Sequence, residues 1–353
     1  MKKIFLGIAF FYLLPNFLIA QCPEEGLHLR CQEDLSNFIL NYPDCTEIES
    51  LTLVYCDENE CNNCLNSLEG LDKILKIRDY LFFMTLSNDQ FTNLKGLSNL
   101  TEIGGIISML IASPITDFTG LESVKKIGGI ECPYCPLKSL NGLNNVEEIT
   151  GNINFGEVPR LENTNGLSSL KTVGGDISID TNWLKSFNLD SLVNVGGYIE
   201  LWDTSIKELN GLNRLRAINY IRIFNNNRLI EVNGFQSLDS LDSLGSLIFS
   251  SNRSLKSVTG FSELKYVYNL FLWGNDSLTN ISGLNNVEEI NSNLTIRNNA
   301  QLSDCSIESI CDHLQNNGSY TIENNEEGCN SAAEIIERCV IADKPATGSF
   351  TCE

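Results

Sequence analysis

GLSSLKTVGGDISI, from Gly166 to Ile179, is one statement of a phrase that the chain makes ten times. In general form it reads G-L-x-x-L-x-x-I-G-G-x-I-x-I. GLSNLTEIGGIISM repeats it from Gly96 to Met109, and GLNNVEEI stands both at 142–149 and at 283–290. The phrase opens at Gly70, Gly96, Gly120, Gly142, Gly166, Asn188, Gly211, Gly234, Gly260 and Gly283, in steps of 22 to 26 residues. A unit this short cannot bury its apolar side alone and must stack on its neighbours. The pattern predicts a right-handed, leucine-rich-repeat-like parallel β-solenoid of about ten turns over 68–304.

Within a unit, apolar residues alternate after the paired glycines: Ile177 and Ile179, Ile199 and Leu201, Ile221 and Ile223, Leu270 and Leu272, Leu294 and Ile296. Period two over so few residues means a short strand with these side chains inward. Asn182, Asn226, Asn252, Asn275 and Asn299 follow five residues after the first inward position. They are expected to point inward and satisfy backbone groups of the next turn. Leu229, Leu255, Leu278 and Leu302 should fill the far wall. Paired glycines such as Gly104-Gly105, Gly128-Gly129, Gly174-Gly175 and Gly196-Gly197 are read as corners where glycine permits positive φ.

Outside the repeats the chain changes character. Residues 1–20 carry Lys2, Lys3 and an apolar run to Ala20, the form of a cleaved export signal. The run is short for a bilayer and Pro15 interrupts it, so no transmembrane segment is expected. A lipid anchor at Cys22 is the alternative to a free N-terminus.

Thirteen cysteines fit an oxidising compartment. Cys22, Cys31, Cys45, Cys56, Cys61 and Cys64 lie in a cysteine-rich segment at 21–67. Cys305, Cys311, Cys329 and Cys339 lie at 305–340, and Cys352 in a tail at 341–353. Disulfides there would staple the ends of the solenoid, where it would otherwise fray. Cys305 is expected to pair with Cys329 and Cys311 with Cys339, and Cys22 or Cys352 to be the odd thiol. Cys132 and Cys135 are read as a local disulfide in preference to a redox pair, because they fall in a bend rather than at a helix N-terminus. Four-thiolate zinc binding by Cys45, Cys56, Cys61 and Cys64 is the lesser alternative to disulfides.

The N-terminal segment reads as a strand at 26–31, a helix at Gln32–Asn41 and the start of the sheet at 46–55. Past the repeats, 305–314 and 331–339 look helical and 319–323 like a last strand. Short helices should therefore cover both ends of the core. CQEDLSNFILNYPDCTEIES (Cys31–Ser50), LSDCSIESICDHL (Leu302–Leu314) and GCNSAAEIIERC (Gly328–Cys339) resemble the corresponding segments of secreted bacterial members of the receptor L-domain family. That family is the leucine-rich β-solenoid of the ligand-binding parts of insulin and epidermal growth factor receptors. The resemblance spans about 26–340. It implies a non-enzymatic, secreted or cell-surface recognition module and names no ligand or cofactor.

The formal charge of −21, or −23 without Lys2 and Lys3, argues against nucleic acid and anionic membranes as partners. Solubility of an exported protein is the ordinary reading of the acidity, and calcium is the sharper alternative. Neither Asp57-Glu58-Asn59-Glu60 nor Glu323-Asn324-Asn325-Glu326-Glu327 has the spacing of a dedicated calcium loop. With only His28 and His313, one at each end, Ser-His-Asp or Cys-His catalysis has no basis. Asp180, Glu200 and Arg222, outward on successive turns, are the residues a carbohydrate-active β-helix would use, and a salt-bridge ladder explains them as well.

The better candidate is aromatic. The first outward position after the inward pair holds Asp180, Trp202, Phe224, Ser250, Trp273 and Arg297 on consecutive turns, with Phe271 on the same face. Trp202, Phe224, Phe271 and Trp273 are therefore the expected binding strip for a protein or glycan partner. The competing reading is a structural spacer in which the rings only stack on one another.

Overall fold

The computed structural model describes residues 22–342 except 55, 57–60, 62, 85–90, 111–112 and 239–243. The proposed export signal, the acidic stretch at 57–60, most of the 341–353 tail and Cys352 lie outside the described residues.

Successive strands pair in parallel, each with the one a turn later, to give a β-solenoid of about 12 turns. The ladder begins at Leu27–Leu29, pairs it with Leu51–Leu53 and then Leu81–Phe83, and ends where Glu289–Arg297 pairs with Ser319–Glu323. The count exceeds ten because the rungs Leu27–Leu29, Leu51–Leu53 and Ser319–Glu323 are not preceded by the phrase. A second row of two-residue strands runs beside the first, from Glu47–Ile48 through Lys76–Ile77 to Asn194–Val195. A small three-stranded sheet of Glu208–Leu209, Glu231–Val232 and Ser257–Val258 forms another wall.

One turn shows why the phrase folds this way. Leu167, Leu170, Val173, Ile177, Ile179, Leu184 and Phe187 are all at most 2% exposed. They belong to one continuous core along the solenoid. Helix α1 (Gln32–Asn41) starts with the Asp34 carboxylate accepting the Cys31 N–H at 3.1 Å. It buries Leu35 and Phe38 and leaves Leu40 exposed. At the other end, α2 (Glu308–Gln315) puts Ile310 and Leu314 into the core cluster, and α3 (Ala332–Ala342) adds Ile335.

Two expectations about the corners change. None of the paired glycines sits at positive φ; what they supply is room. A Cβ on Gly174 would lie 2.1 Å from the carbonyl oxygen of Thr150, and one on Gly196 2.1 Å from that of Gly174. Backbones of neighbouring turns touch there, and only glycine permits it. Gly174→Ala is thus expected to cost about 1–3 kcal/mol by overpacking. Gly156→Ala, whose Cβ would meet nothing nearer than 3.9 Å, should be close to neutral. Parallel thermal melts of the two variants check the contrast.

The asparagines form a ladder that is continuous from Asn226 to Asn325. The backbone N–H of Asn226 donates to Asn252 Oδ1 at 2.9 Å, that of Asn252 to Asn275 Oδ1 at 3.1 Å, and that of Asn275 to Asn299 Oδ1 at 3.1 Å. Asn299 donates in turn to Asn325 Oδ1 at 3.0 Å. Each Nδ2 donates to the carbonyl of a strand on the preceding turn, as Asn252 does to Ile223 at 2.9 Å. Asn182 is not a member. It is exposed, and Thr181 takes the inward place, its hydroxyl donating to the Val158 carbonyl at 2.7 Å. The bend after Ile179 has one residue before the inward polar side chain, whereas the bends after Leu201 and Ile223 have two.

Six cysteine pairs stand at disulfide distance: Cys22–Cys45, Cys31–Cys61, Cys56–Cys64, Cys132–Cys135, Cys305–Cys329 and Cys311–Cys339. Cys22 is therefore not the odd thiol, and its sulfur, facing Cys45, is not placed to carry a lipid. Cys56 and Cys64 pair with each other, Cys45 with Cys22 and Cys61 with Cys31, so the four thiols of the zinc alternative are taken up in three disulfides. No helix among the described residues is long and apolar enough to cross a membrane.

Candidate functional site

With Ile199 and Leu201 inward, strand alternation turns Glu200 and Trp202 outward, and the same holds on each later turn. Parallel register then stacks Asp180, Trp202, Phe224, Ser250, Trp273 and Arg297 in one row. The row beside it holds Ser178, Glu200, Arg222, Ile248, Phe271 and Thr295.

Trp202 and Phe224 have ring centroids 5.6 Å apart with planes tilted by 49°, and Phe271 and Trp273 are 6.0 Å apart at the same tilt. The Arg297 guanidinium lies 5.5 Å from the Trp273 ring. Trp202 is 44% exposed, while Phe224, Phe271 and Trp273 are half-buried against these neighbours. The strip is thus two aromatic pairs separated by buried Ser250, with half-buried Ile248 bridging them in the adjacent row. Ile248 was not anticipated, because a lone aliphatic residue at an outward position gives no signal until the rows are in register.

Asp180, Glu200 and Arg222 do not meet as a trio. Glu200 and Arg222 are cross-strand partners with an ion pair of 3.6 Å, and the guanidinium also lies 4.7 Å from the Tyr198 ring centroid. Asp180 belongs to the other row and faces a different set of groups.

That set forms a cleft of about 430 Å³ beside the first aromatic pair. Glu157, Asp180 and Asp203 supply carboxylates to its lining, and Trp183 and Trp202 supply indoles. Partial burial, with the charges of Glu157 and Asp203, pushes the Asp180 carboxyl above its ordinary range. The Tyr134 hydroxyl donates to Glu157 Oε1 at 3.1 Å, and that acceptor holds the phenol proton more tightly than usual. Tyr134 is presented by the bend that Cys132 and Cys135 pin, with Cα atoms 5.4 Å apart. Among the described residues no group of three His, Cys, Asp or Glu side chains is arranged to hold a metal ion.

Sequence reasoning found Trp202 and Asp180 but missed Glu157, Trp183 and Asp203. Glu157 and Asp203 both take left-handed φ of 48°, and Trp183 lies in the shortened bend after Thr181. Alternation in the strands says nothing about where such side chains project. The residues carry no signal for it, because Asn182 keeps the five-residue spacing while Thr181 takes the inward place.

No family model matches the chain, and no curated protein matches it.

Proposed function

We propose that the chain is an exported, non-catalytic recognition or adhesion module of receptor L-domain type, binding a protein or glycan through the outer face of its sheet. The aromatic strip carries the reading: Trp202, Phe224, Phe271 and Trp273, with Ile248, make an apolar patch on a strongly acidic surface. Flat rings suit sugar faces and partner side chains alike. The paired cysteines support export, and the terminal helices act as caps that keep the solenoid from stacking end to end.

A purely structural spacer is the second reading, favoured by the way the rings pair with each other. One set of mutants separates the two. If the strip binds, Trp202→Ala and Trp273→Ala each weaken a ligand found on glycan or protein arrays by about 1–3 kcal/mol and leave the melting temperature nearly unchanged. If the rings serve only the fold, the same changes lower the melting temperature and no array ligand depends on them.

A further inference from the structure

We propose that the cleft between Trp183 and Trp202 takes an arginine side chain of a protein partner, its guanidinium against the indoles and bonded to the carboxylates of Glu157, Asp180 and Asp203. This rests on the reading of the outer face as a recognition surface, and it names what that surface recognises. Three observations carry it. The first is a formed cleft of about 430 Å³ that opens directly onto the exposed end of the aromatic strip, with Trp202 shared between them.

The second is charge. The lining holds three carboxylates and no Lys or Arg, and the charges acting on Asp180, those of Glu157 and Asp203, both repel it. Lys185 and Arg228 line a neighbouring cleft that shares Asn182, Trp183 and Asp203 with this one, and Lys185 is engaged with Glu162 at 2.6 Å. A cation entering the acidic cleft relieves repulsion that the fold leaves standing.

The third is shape. Two indoles stand in the lining beside the three carboxylates, so a flat cation can use both kinds of group. Guanidinium fits it: planar, weakly hydrated, able to lie on an aromatic face and to donate to several carboxylates at once. An ammonium group is a compact point charge and uses the indoles less well. The adjoining apolar strip gives such a partner the desolvated centre that protein interfaces need beside an anchoring arginine.

The chain contains only three tryptophans, Trp183, Trp202 and Trp273, which makes the test direct. Indole ¹H–¹⁵N signals of the folded chain are followed during titration with N-acetyl-arginine methylamide. The control is N-acetyl-citrulline methylamide, which has nearly the same shape and no charge, and methyl β-glucoside stands for a neutral sugar. The expected result is that the arginine probe moves the Trp183 and Trp202 signals and leaves Trp273 in place. Citrulline should bind about tenfold more weakly or worse, the scale of a charge-assisted hydrogen bond. Asp180→Asn with Asp203→Asn should abolish the preference while leaving the melting temperature unchanged, since asparagine accepts the left-handed φ of residue 203.

Equal shifts with arginine and citrulline, no shift with either, or tighter binding of the glucoside would each overturn the assignment. A partner whose binding needs Trp273 but ignores Asp180 and Asp203 also overturns it and leaves the recognition surface standing. Loss of both readings requires that no ligand depends on Trp202 or Trp273 at all.

Discussion

Asn252→Ala is expected to destabilise the protein by about 2–6 kcal/mol, although the side chain touches no ligand surface. Its Oδ1 accepts the backbone N–H of Asn226 at 2.9 Å, and its Nδ2 donates to the Ile223 carbonyl at 2.9 Å. Asn252 is fully buried and Asn226 nearly so. Alanine leaves one donor and one acceptor unpaired, each costing about 1–3 kcal/mol. Asn252→Asp keeps the acceptor but loses the donor and places a charge in the core, and it should be at least as damaging. Asn182→Ala, on an exposed residue, should stay within about 0.5 kcal/mol. Denaturant midpoints of the three variants test this. Comparable losses at 182 and 252 would mean that the ladder contributes no more than any surface asparagine.

That contrast also marks how far the residues alone reached. In one dimension Asn182 and Asn252 are equivalent, each five residues after an inward isoleucine or leucine. The bend before Asn182 is one residue shorter, and Thr181 fills the inward place instead. Alternation along a strand is local, so the inward pairs and the outward row from Asp180 to Arg297 were legible, and parallel register preserved that row. The glycine pairs were recognised as corners for the wrong reason. Their role is contact between turns, which depends on how closely Gly174 approaches Thr150 rather than on any φ that a sequence signals. The acidic cleft was least visible, because two of its carboxylates project from left-handed residues in bends.

The ends of the solenoid give the second large effect. Removing Cys305–Cys329 or Cys311–Cys339 by paired serine substitution is expected to cost about 3.5 kcal/mol each, since the bridges span 24 and 28 residues and chain-entropy cost follows loop length. These bridges hold down a region with a neighbour on one side only. Cys305 is fully buried and packs in the core with Leu302, while Cys311 on α2 faces Cys339 on α3. Without the bridges, α2 and α3 keep the buried side chains of Ile310, Leu314 and Ile335 and the contacts of the His313 ring nitrogens with the Ile290 and Ser319 carbonyls. In a structure whose turns contact only their neighbours, opening starts at such an end and moves inward. Hydrogen exchange should therefore rise first in α2, α3 and the strand Ser319–Glu323, then in Glu289–Arg297. The turns around Gly166 should keep their protection. Uniform loss of protection along the chain would show one cooperative unit instead of a fraying stack. Mass spectrometry of the non-reduced protein gives the companion check, and four free thiols at 305, 311, 329 and 339 would remove the basis for the effect.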